Sequence, residues 1–113
     1  MKLAIIFLHK IEFLEDILSA FLEIGVSGAT VLNSAGMGHI ISENIPIFAG
    51  LRDTFAGSSP NNKIILVVTP EKEIKKIAEV LDDVCETTDD SHTHFMISVP
   101  IDHLFGFKSN DNP

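Results

Sequence analysis

Cysteine is almost missing from this chain. Cys85 stands alone, so no disulfide closes within it, and a reducing, cytoplasmic compartment is expected. Arginine is equally scarce, with Arg52 the single example, and the basic side chains number 8 against 16 acidic ones for a formal charge of −8. Phosphate backbones are held by clustered Lys and Arg, so a chain without a basic stripe is not expected to bind DNA or RNA. No apolar run approaches the ~20 residues needed to cross a bilayer, so the protein is not expected to be membrane-embedded. The N-terminal run lacks the small-residue cleavage site of a signal peptide.

A nucleophile with its activator is also lacking. Cys85 lies among Asp82, Asp83 and Glu86, carboxylates that disfavour a thiolate, and it reads as a small buried hydrophobe. Ser98 sits on an apolar strand without a neighbouring base, and Glu12, Glu15 and Asp16 are spaced as a solvated helix start. The expectation is a protein that binds and does not catalyse.

What is present is a short set of strongly patterned segments within 113 residues, the length of one domain. Leu3 to Leu8 and Ile64 to Val68 are uninterrupted apolar runs, which read as strands in contact on both faces. Phe13, Leu14, Ile17, Leu18, Phe21 and Leu22 recur at helical spacing, with carboxylates at the start to complement the dipole and Gly25 placed to end the helix in a left-handed cap. Ala29 to Leu32 begins a second strand and Lys63 to Thr69 forms a third. Thr69-Pro70 reads as an N-cap followed by proline at the first helical position. Ile74, Ile77, Ala78, Leu81 and Val84 mark the buried side of a second helix, and Phe95 to Val99 a last strand. The order βαββαβ is the ferredoxin-like split βαβ pattern of the α+β class. Two helices cover one face of such a sheet and leave the other bare. Strands without polar alternation therefore imply further copies of the chain on that face, in a closed ring.

Residues 36–62 form a connection longer than the ~12–15 residues usual in a compact domain. At its base, Gly36-Met37-Gly38 follows Gly25-Val26-Ser27-Gly28-Ala29-Thr30-Val31, with Met1-Lys2-Leu3 and Leu14-Glu15-Asp16-Ile17 upstream. Together these resemble the opening third of the nitrogen-regulatory PII signalling proteins. The resemblance covers 1–38 and, more weakly, 63–105. It implies a PII-like ferredoxin-fold domain over 1–108, with a flexible tail at 109–113. It further implies a homotrimer of such subunits, a small molecule in the clefts between them, and a long T-loop read by a protein target, either a transporter or an enzyme. The ligand implied is an adenine nucleotide near Thr30, Gly36, Met37, Gly38, His39, Thr87 and Thr88. Family members carry a glycine-rich second ligand loop ending in lysine. The corresponding 87–94 segment here has neither residue and holds Asp89 and Asp90, which points to few phosphates or another small anion.

Two further patterns stand out. Within the long connection, Pro46 fits a first helical position, and Phe48, Leu51 and Phe55 fall on one stripe. Ile45, Pro46, Ile47, Phe48, Leu51, Arg52 and Phe55 are the candidate partner-binding segment, and packing of the stripe within the assembly is the competing reading. His92 and His94, two apart beside Asp89 and Asp90, are the candidate ligands for a divalent metal, since i and i+2 share a strand face. This is the alternative reading of the chain, resembling the divalent-cation-tolerance trimers. A ligand-free interaction module is the third.

Overall fold

The fold was analysed in a computed structural model, which describes residues 1–26, 28–37, 40–41, 62–85 and 94–107. Strand β1 is Lys2–Leu8, followed by a 3-10 turn at Ile11–Phe13 and helix α1 at Leu14–Glu23. Strand β2 is Thr30–Ser34 and β3 is Asn62–Thr69. A second 3-10 turn at Glu71–Glu73 leads into helix α2, Ile74–Cys85, and β4 is His94–Pro100. The described strands form one sheet in the order β2-β3-β1-β4, every neighbour antiparallel. This α+β arrangement, two helices on a four-stranded antiparallel sheet, is compatible with the ferredoxin-like pattern.

The core follows from strand periodicity, because successive side chains point to opposite faces. Ala4, Ile6 and Leu8 of β1 and Ile65 and Val67 of β3 are sealed against Ile17 and Phe21 of α1 and Ile77, Leu81 and Cys85 of α2. Cys85 is thus the small core residue its sequence context indicates. Helix α1 ends as a Schellman motif. Gly25 adopts φ +92°, its N–H donates to the Leu22 carbonyl at 3.1 Å, and the Val26 N–H donates to Phe21 at 2.8 Å. Val26 packs against the core that contains Phe21, the apolar contact that accompanies this cap.

The reading of Thr69-Pro70 as cap and first helical residue is corrected. Thr69 is the last residue of β3, paired with Lys2 and buried, and Pro70 is extended at ψ 150° with no side-chain cap on the turn that follows. Ladder pairing with β1 holds Thr69 in the strand, so the proline marks the exit from the sheet one residue before the helical turn. The strand limits also shift outward, to Asn62 for β3 and to His94 and Pro100 for β4. No helix among the described residues is long and apolar enough to cross a membrane.

Candidate functional site

The face of the sheet turned away from the helices is apolar throughout its centre. The register places Val99, Leu3 and Val68 in one row, Ile97, Ile5 and Leu66 in a second, and Phe95, Phe7, Ile64 and Leu32 in a third. Nothing among the described residues covers these rows: the β1 and β3 members are half-buried by their neighbours, and those of β4 and β2 are exposed. Phe7 and Phe95, directly opposite each other, stack with centroids 4.4 Å apart and planes 15° apart. His9 lies tilted beside them, 6.0 Å from the Phe95 ring.

At the end of the third row the sheet opens into a cavity of about 250 Å³. Phe7, His9, Gly36, Asn62, Ile64 and Phe95 are among its walls. Asn62, the first residue of β3, pairs with Ser34 and is only 6% exposed, yet its Oδ1 accepts no hydrogen bond. A buried amide oxygen without a donor is unfavourable by roughly 1–3 kcal/mol, and this one is closed off from solvent beside the cavity, with no donor among the described residues. Gly36 lines the cavity next to Asn62. A Cβ built on it would meet Asn62 Nδ2 at 3.6 Å, an ordinary contact, so the glycine serves cavity space and not a strained backbone. Its carbonyl accepts from the Ile40 N–H at 3.1 Å, which starts a helical turn directly after β2. Lys63 lines the same region, but its register places the side chain on the helix face, where Nζ donates to Asn33 Oδ1. The cavity therefore offers an aromatic surface and a glycine beside a buried amide, whose oxygen a ligand reaches only if the Asn62 side chain turns, chemistry suited to a small flat ligand.

Of the residues singled out from the sequence, Gly36 lines the cavity and Met37 follows it, largely exposed. Thr30 is exposed at the opposite end of β2, roughly 20 Å from Gly36 at about 3.4 Å per residue. The two therefore do not meet within one chain. His94 is turned to the helix layer, its Nε2 3.1 Å from Asp82 Oδ1 on α2, with 8% of its side chain exposed against 67% for Asp82. Among the described residues no group of three His, Cys, Asp or Glu is placed to hold a metal ion. Gly38, His39, Thr87, Thr88, His92, the segment Ile45 to Phe55 and the 109–113 tail lie outside the described residues.

Sequence reasoning missed Phe7, Phe95, His9 and Asn62. The first two were legible as odd-numbered members of β1 and β4, once the register was known to align them. The signal for Asn62 was a polar residue two positions before an apolar run, where a solvated loop end is the usual reading. No family model matches this chain, and no curated protein matches it.

Proposed function

We propose that the protein is a PII-like homotrimeric regulatory protein, which senses a small molecule in clefts between its copies and acts on a protein partner through the 36–62 segment. The observation that carries this reading is the apolar face, which no described residue covers, ending in the Gly36–Asn62 cavity. An apolar face of this extent is unfavourable in water at roughly 25 cal/mol per Å², and identical copies are the simplest cover. A cavity at its margin then becomes a cleft between subunits. Closure of the ring also brings Thr30 of one copy toward Gly36 of another, which a single chain does not do. The ligand in this reading is an adenine nucleotide with few phosphates or another small flat molecule, stacked on Phe95 with its donor on Asn62 Oδ1. Binding and release there alter the helical turn that begins at Gly36, and so reach the long segment that follows it. The protein works by binding and not by catalysis.

Native mass spectrometry of freshly purified, undialysed protein tests both halves of the proposal. The expected result is a trimer carrying a fixed extra mass that matches a small organic molecule. Gly36→Val, which fills the cavity, is expected to lose that mass and keep the trimer. A strictly monomeric chain at tens of micromolar overturns the proposal. An extra mass that Gly36→Val retains moves the ligand elsewhere.

A further inference from the structure

After β4 the chain does not stop at the sheet. The Ile101 N–H donates to the Met1 carbonyl at 3.2 Å, extending the β1–β4 pairing by one step, and residues 102–107 then run on exposed. This arm is apolar: Leu104 and Phe107 are exposed, and Phe105 is 87% exposed. Its polar members, Asp102 and His103, come first, with the His103 ring edge-on to Phe105 at 6.2 Å. Gly106, at φ +75°, gives the arm a left-handed bend between its two phenylalanines.

We infer that this arm, residues 101–107, is the clasp of the assembly: it lies across the apolar sheet face of a neighbouring copy, with Phe105 and Phe107 seated on the row of Ile97, Ile5 and Leu66 and beside it. The inference rests on the proposed homo-oligomer and adds to it the element that joins the copies. Both halves of the contact belong to this one chain, an apolar strap and an apolar face, and within the chain they do not meet. A phenylalanine carries on the order of 150–250 Å² of surface, and leaving one almost wholly in water on an ordered segment is unfavourable unless it has a seat. The dimensions agree. Fully extended, seven residues would reach at most roughly 20 Å at about 3.3 Å each, and the bend at Gly106 shortens the arm toward the roughly 15 Å that four strands about 4.8 Å apart span. A strap and the face under it bury on the order of 1,200 Å² in total, the lower end of a specific stable interface. Because the arm of one copy meets the face of the next, the contact is heterologous, and it closes into a ring when the rotation between copies closes and otherwise runs on as a filament.

Three full-length variants decide the matter, measured by light scattering across a concentration series with circular dichroism as the check of fold. Phe105→Asp with Phe107→Asp is expected to raise the concentration for half-assembly at least 100-fold with the spectrum unchanged. Ile97→Asp, on the face, is expected to do the same. In the third, a photo-crosslinking phenylalanine analogue at position 105, mixed between isotope-labelled and unlabelled chains, is expected to join one copy to Ile5, Leu66 or Ile97 of another. If the arm variant assembles like the parent while Ile97→Asp dissociates, the clasp is overturned and the homo-oligomer stands. Crosslinks confined to single chains also overturn the clasp. A parent chain that is monomeric throughout removes both the clasp and the reading on which it rests.

Discussion

On β1, Ala4, Ile6 and Leu8 are sealed beneath two helices, while Leu3, Ile5 and Phe7, each one residue away, stay half open. β3 repeats the division, with Ile65 and Val67 on the closed side and Ile64, Leu66 and Val68 on the other. Yet the two faces are nearly identical in hydrophobicity. A sheet that meets water on one side ordinarily alternates apolar with polar, and this one does not. The difference between the faces therefore lies in what stands over them, and the composition of the open face already matches a covered one. What separates the two is the end of the sheet at Asn62, where a polar atom without a partner interrupts the apolar surface.

That contrast can be broken at three strengths. The largest effect belongs to the closed face. Phe21→Ala removes the largest sealed side chain of the core and is expected to lower stability by about 3–5 kcal/mol in urea titrations. Ile97→Ala, its open-face counterpart, is expected to change stability by under ~1 kcal/mol in dilute protein, with the gap closing as concentration rises. Equal losses at low concentration would remove the distinction between the faces. The intermediate effect belongs to the boundary. Asn62→Leu replaces an unpartnered buried amide with an apolar side chain of similar size. It is expected to stabilise the ligand-free protein by about 1–2 kcal/mol while abolishing ligand binding. Destabilisation would mean that the Asn62 amide is already satisfied. The smallest effect lies at the rim of the helix layer, where Asp82→Asn weakens the contact with His94. Asp82 is mostly exposed and screened by solvent, so a change within about 0.5 kcal/mol is expected, and a larger one would make His94 part of the core rather than its margin.

Most of the fold was legible in the sequence because period and punctuation agree. The 3.6-residue spacing in α1 and α2, Gly25 as a left-handed cap, and apolar runs between turn signals locate the described elements to within a residue or two. Thr69-Pro70 was misread because a Thr-Pro pair has the same local chemistry at a helix start and at a strand exit. The ladder partner of Thr69, some 67 positions earlier in the chain (69 − 2), decided between them. The site was less legible for the same reason. Its walls come from β1, β2, β3 and β4, brought together by register, and no local pattern announces that Phe7 will face Phe95 or that Asn62 will face Gly36. Local sequence gave the glycine and not its neighbours.

The position of β1 has a consequence for how this chain reaches its folded form. β1 is central, with β3 on one side and β4 on the other, so the first strand made is completed only by residues 62–69 and then by residues 94–100. During synthesis its two edges emerge before their partners and wait, rich in Ile, Leu and Phe, for strands that leave the ribosome about 60 and 90 residues later. Pairings of such long sequence separation close slowly, and an unpaired apolar strand is an aggregation hazard while it waits. Among the described strand pairs the β1–β4 contact is thus the later to become available, and the yield of folded protein is expected to depend on how quickly residues 94–100 arrive to close it.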